Sequence, residues 1–161
     1  MPAGNSSPVS EPSLRLRELG LTLPKAPTPL GAYVEVSQAG SLLFLSGILP
    51  VIDGKLSITG RLGENVSVEQ GRQAVRVAAI NALAAAQQHL GALDRLKKLV
   101  KLSVTLATTE DFTEHATIAD GASDLFVQIF GPENGHARVV AGVQSLPVGT
   151  PVVVETIFEV S

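Results

Sequence analysis

Cysteine and tryptophan are absent from the 161 residues, and aromatic residues make up only 4% of them. Without a thiol the chain forms no disulfide, offers no thiolate nucleophile and builds no thiolate metal site. Charge is scarce too: 17% of residues are Asp, Glu, Lys or Arg, against roughly 25% in an ordinary soluble domain. The formal net charge is −3, and no basic cluster exceeds Lys97, Lys98 and Lys101. A chain that is acidic and poor in rings neither neutralises phosphates nor stacks bases, so no nucleic-acid partner is expected. No apolar run reaches the roughly 18 residues of a membrane span, and Met1 to Pro12 lacks a charged segment followed by an apolar one. No membrane partner is expected either, and a cytoplasmic address is the default expectation.

What is present is a hydrophobic content of 45% in a length that suits one domain and leaves no room for a second. With so little charge to spread outside, part of the surface is expected to be covered by copies of the chain in a closed symmetric oligomer. Residues 1–20 read as a flexible arm and 21–161 as the folded domain, although Leu14 to Leu23 has the apolar content of a short helix. Pro24, Pro27 and Pro29 then force an extended segment.

Tyr33 to Ser37 and Leu42 to Ser46 have hairpin spacing around Gln38, Ala39 and Gly40, and Asp53-Gly54 marks a further turn. From Ser67 the apolar period changes. Val68, Val75, Ala78, Ala79, Ala82, Leu83, Ala86 and Leu90 recur every three or four residues, with a capping box at Ser67 and Gln70 and a stop at Gly91. Leu99 to Leu106 alternates with its even-numbered residues inward. A second helix is expected from Thr109 to Gly131-Pro132, weakened or split at Gly121, followed by strands at Arg138 to Gln144 and Val152 to Val160. This order predicts an α+β domain: one mixed sheet with two helices packed on one face, the other face left for a partner.

The familiar catalytic constellations are missing. His89, His115 and His136 lack ligand-like spacing, which leaves no metal expected and gives the histidines surface or helix-end roles. No glycine-rich run cradles phosphates, and no serine stands in a nucleophile elbow. No cofactor is expected.

One stretch stands out: His136-Ala137-Arg138-Val139-Val140-Ala141-Gly142-Val143-Gln144-Ser145-Leu146-Pro147, followed by Val152-Val153-Val154-Glu155. It resembles the C-terminal signature of the RidA/YjgF family, also called endoribonuclease L-PSP. Gly31-Ala32-Tyr33-Val34 resembles that family's Gly-Pro-Tyr segment, and Leu45-Ser46-Gly47-Ile48-Leu49-Pro50-Val51 its Ser-Gly-Gln-Ile-Pro strand. The likeness covers residues 20 to 160, and Lys98 to Leu102, Asp111 to Glu114 and Gly121 to Leu125 suggest a branch apart from the archetypal deaminases. The resemblance implies a chorismate-mutase-like fold, a homotrimer with ligand clefts between subunits, and hydrolysis of enamines and imines of amino acids without cofactor or metal. It also implies that Arg138 holds the carboxylate of a small metabolite, with Tyr33, Ser46, Gly47 and the Val140 backbone lining the cleft. The chemistry of arginine agrees, because a guanidinium forks onto a carboxylate with two charge-assisted bonds.

Two positions depart from the family. Val140 stands where the archetype has Cys, and Val153 where it has the Glu that positions the attacking water. Glu155 shares the face of Val153 about 6–7 Å away, so it reaches the cleft only with a shifted backbone. Asp120, Glu35 or a carboxylate on the ligand are the other candidates. The sequence therefore supports an imine or enamine deaminase first, a non-catalytic carboxylate-binding module second, and a ribonuclease least.

Overall fold

The computed structural model describes residues 11–161. The best-determined element of the sequence forms as expected: α2 (Val68–Leu90) begins at Ser67 with both halves of the capping box and ends at Gly91 in the left-handed conformation. Such a cap contributes about 1 kcal/mol to the helix. Its alanine-rich face is buried, from Ala74 through Ala86, because small side chains let the helix settle close on the sheet.

The chain enters through α1 (Pro12–Glu18), where Leu16 is buried and Ser13 bonds Asp94 through both its N–H (2.8 Å) and its hydroxyl (2.6 Å). Packed structure thus starts before residue 21. The rest of the arm expected over residues 1–20, Met1 to Ser10, lies outside the described residues. The short helix expected over Leu14 to Leu23 is thus present but lies earlier, at Pro12–Glu18.

The hairpin β1 (Val36–Ala39) and β2 (Leu42–Leu45) is shorter than the sequence suggested, with Ala39 across from Leu42 and Gly40 at φ 60° in the turn. Tyr33 and Ser46 fall outside its strands. A small separate hairpin, β3 (Val51–Ile52) and β4 (Lys55–Leu56), turns through Asp53 and Gly54, both at positive φ, the requirement of a tight two-residue turn.

Long β5 (Leu96–Ala107) carries the expected inward row Leu102, Val104 and Leu106, all buried. Towards its start the rule fails, for Leu99 is buried and Val100 only partly so. Register shifts between Leu96 and Lys98 and between Leu99 and Lys101 account for it: each extra residue resets the alternation and keeps leucine inside. Helix α3 (His115–Phe130) starts six residues later than Thr109 and runs unbroken through Gly121 to Gly131. β6 (Ala137–Val143) and β7 (Val152–Val160) complete the chain.

The sheet order is β1-β2-β7-β5-β6, antiparallel except for the parallel pair β5–β6 that α3 connects. Both long helices cover one face of this mixed sheet. Phe126 and Phe130 of α3 lock onto Phe158 of β7 with ring centroids 5.9 and 6.0 Å away, an aromatic knot that ties helix to sheet. The opposite face carries Phe44, Val139, Val153 and Ile157 among polar residues, with Phe44 41% and Val139 50% exposed.

Candidate functional site

Arg138 sits one residue into the edge strand β6, across from Leu102, which in turn lies across from Thr156. Leu102 and Thr156 are buried under the helices, so the arginine side chain leaves the sheet on the helix side and meets α3. There its Nη1 donates to Asp120 Oδ1 at 2.6 Å and to Ser123 Oγ at 3.2 Å. The side chain is 25% exposed. Both protons of Nη1 are therefore committed, while Nη2 and Nε have no partner among the described residues. One whole edge of the guanidinium stays open, the edge that can take a carboxylate with two parallel bonds.

Ser123 also lies 2.9 Å from His136 Nε2. Burial first, and the neighbouring Arg138 second, hold this imidazole below the usual histidine range. The ring lies edge-on to Phe126. Ser123 and His136 were missed in the sequence, yet two spacings pointed to them. Asp120 and Ser123 are three apart on one helix face, and His136 stands two residues before Arg138, the strand period. Val140 follows Arg138 on the same face, half-buried against the core.

The other expected residues gather elsewhere. Ser46 N–H donates to Glu35 O at 2.9 Å, and Ser46 Oγ to Val34 O at 2.6 Å, which fastens the chain after β2 to the chain before β1. A side chain at Gly47 would place its Cβ 2.7 Å from Val153 Cγ1, so only glycine allows this approach. Tyr33 accepts from Leu30 N–H through its hydroxyl at 3.1 Å and is 45% exposed. Asn81, buried on α2, donates to Leu49 O and Val51 O and holds the segment that follows.

Val153 lies across from Thr105, and Thr105 across from Ala141. It precedes Thr156 by three residues on the same strand, an odd step, and so points to the face away from the helices. One protomer therefore does not bring Arg138 and Val153 together. The expected residues thus fall into two groups: Arg138 and Val140, with Asp120, Ser123 and His136, at the β6 edge, and Ser46, Gly47 and Val153 around the central strand β7, with Tyr33 and Glu35 on the chain leading into β1.

The carboxylates divide just as sharply. Asp120 is spent on Arg138. Glu155 lies across from Ser103 on the open face and is exposed. Glu35 borders a cavity of about 380 Å³ with Lys25, Gln88 and His89, and its Oε2 is buried without a partner. Burial raises its carboxyl above the ordinary value of 4.5.

A five-stranded mixed sheet covered by helices on one face, with a half-open arginine fork at one edge, defines a small α+β protein. Comparison with known proteins gives the family. The model of the YjgF/chorismate_mutase-like family matches residues 13–160, and the chain belongs to this RidA/YjgF family. It is similar to Protein TCP17 of Trypanosoma cruzi, 41% identical over 147 residues that cover 91% of this chain and 92% of that one. A RutC family protein of Pyrococcus horikoshii is 30% identical over 82% of this chain and 90% of its own. The crystal structure of a candidate endoribonuclease from Shewanella oneidensis superposes with a TM-score of 0.88 at 36% identity, covering 92% of this chain and 99% of that one. Among the described residues no helix is long and apolar enough to cross a membrane.

Proposed function

We propose that this chain is a cofactor-independent hydrolase of reactive imines or enamines derived from amino acids, working in the cytoplasm as a homotrimer. The single observation that carries the reading is the open Nε–Nη2 edge of Arg138, held in place by Asp120 and Ser123. A 2-imino acid docks its carboxylate there. Its imine carbon then accepts water, the resulting carbinolamine loses ammonia, and a 2-oxo acid remains. The half-site around Ser46, Gly47 and Val153 faces the ligand from a neighbouring subunit, which reconciles the separation of the two groups within one protomer.

Water needs a carboxylate, and Val153 cannot supply one. Glu35 is the best candidate, because its backbone is bonded to Ser46 and its acidity is weakened by burial, which moves it towards the range useful for proton transfer at neutral pH. The hydrocarbon at Val153 favours a second reading, a binding module that keeps the carboxylate anchor without turnover. Ribonuclease action, suggested by the names of relatives, fits poorly with a net charge of −3 and 4% aromatic residues.

The test is release of ammonia or 2-oxo acid from an imine generated in situ by an amino-acid oxidase, corrected for spontaneous hydrolysis. The wild type should accelerate release, and Arg138→Ala should abolish the acceleration without unfolding the protein, since it removes a forked charge-assisted contact. A wild type that binds 2-oxo acids but never accelerates hydrolysis selects the binding module. Unaltered activity and binding in Arg138→Ala reject the site.

A further inference from the structure

We propose that Ser123 and His136 are positioning residues for Arg138: they fix the guanidinium with its Nε–Nη2 edge free, and the imidazole takes up a proton when a carboxylate binds there. The inference rests on the reading of Arg138 as a carboxylate anchor and adds to it a pair of residues and a proton.

The hydrogen-bond chain sets the roles. Arg138 Nη1 gives one proton to Asp120 at 2.6 Å and the other to Ser123 Oγ at 3.2 Å. A hydroxyl that accepts from a guanidinium has its own proton to give, and the acceptor at hand is His136 Nε2, 2.9 Å away. The network thereby assigns the neutral tautomer with its proton on Nδ1. Ser123 is only 9% exposed, and the His136 ring is set edge-on to Phe126 with centroids 6.5 Å apart. The chain Phe126, His136, Ser123, Arg138 thus starts in the aromatic knot of the core and ends at the ligand.

The charged groups on the elements around His136 are Arg138 on the strand that follows it, Asp120 and Asp124 on α3, Glu133 in the loop between α3 and β6, and Lys101 of β5 across from Ala137. Asp120 is held by Arg138, and Asp124 lies 3.6 Å from Arg72. Two causes keep the imidazole neutral, burial and the positive charge of Arg138. A ligand carboxylate on Arg138 cancels the second cause and leaves the first. The imidazole then gains a proton from solvent, and Nε2–H donates to Ser123 Oγ. The serine keeps its own proton and turns it away from His136, while its oxygen still accepts from Arg138 Nη1. Since the bound state holds more protons than the free one, affinity rises as pH falls through the titration of His136.

The experiment is calorimetric titration with pyruvate near pH 6 in buffers of different ionisation enthalpy, for the wild type, Ser123→Ala, His136→Leu, His136→Gln and Arg138→Ala. Ser123→Ala and His136→Leu should each weaken pyruvate roughly tenfold, the loss of about one hydrogen bond to a charged group. His136→Gln should keep most of the affinity, because an amide oxygen still accepts from Ser123, yet lose proton uptake altogether. A merely structural histidine would not separate these two readouts. Without ligand, the His136 ring in Arg138→Ala should titrate at higher pH than in the wild type, and an unchanged titration contradicts the coupling. Wild-type binding with no proton uptake, or full affinity in both Ser123→Ala and His136→Leu while Arg138→Ala loses pyruvate, overturns the positioning claim alone. Full affinity in Arg138→Ala, or a wild type that does not bind millimolar pyruvate, overturns the anchor reading along with it.

Discussion

Valine at 153 concentrates the chemical question of this molecule in one side chain. Its Cγ1 closely approaches Gly47, so Val153→Glu puts a carboxylate beside that glycine. If the cleft is otherwise complete, this substitution should raise imine hydrolysis, with proton transfer typically contributing about 10²–10⁴-fold. No gain in the oxidase-coupled assay would show that water is already positioned by another group. Glu35 gives the complementary prediction. Its raised pKa means that the folded state prefers the protonated carboxyl, so ionised Glu35 burdens folding at neutral pH. The burden disappears as pH falls below the unfolded value of 4.5. Glu35→Gln should therefore melt higher than wild type at pH 7, with the gap closing near pH 4, while hydrolysis drops. A variant that melts lower at pH 7 would contradict the desolvation account. Stability set aside for function in this way is common at active sites.

At the scale of elements, α2 and α3 approach closely at Gly121. A Cβ at Gly121 would come within 3.0 Å of the Arg72 carbonyl and the Val75 side chain, which explains why a residue of poor helix propensity interrupts nothing. The sequence suggested a break there because propensity alone assigns glycine a cost of about 1 kcal/mol; packing against α2 overrides it. Gly121→Ala should then lower the unfolding free energy from denaturant titration by roughly 1–3 kcal/mol of overpacking, despite its better propensity. An increase would mean that the helices separate easily. Legibility followed the same division. The capping box, Gly91 and the alternation of β5 from Leu102 onward could be read directly because local chemistry sets them. The bulges near Leu99, the late start of α3 and the Asn81 bridge to Leu49 and Val51 could not, since each is decided by partners distant in sequence. Arg138 was legible through a motif, whereas the spacings that hint at Ser123 and His136 gained meaning only once α3 and the chain entering β6 were set side by side.

At the scale of the whole molecule, the low charge content of the sequence and the sheet face left without helices describe the same surface. Phe44, Val139 and Ile157 occupy that face, and β6 offers an unpaired edge beside it, features that proteins ordinarily cover. Light scattering coupled to gel filtration should give three chains per particle at micromolar concentration; a monomer would remove both the oligomer and a cleft between subunits.

The central claim, that Arg138 on one subunit works with the Gly47–Val153 half-site of another, has a direct test in subunit mixing. Arg138→Ala spoils one half-site and Gly47→Leu, which crowds Val153, spoils the other. Each variant alone should fail to bind pyruvate. When the two are unfolded together in equal amounts and refolded, randomly mixed trimers regain about a quarter of the sites, because each mixed ring contains one junction with both halves intact. Recovery of about a quarter of the wild-type pyruvate stoichiometry is the predicted result. No recovery from correctly assembled mixed trimers would place the site within a single protomer and contradict the account.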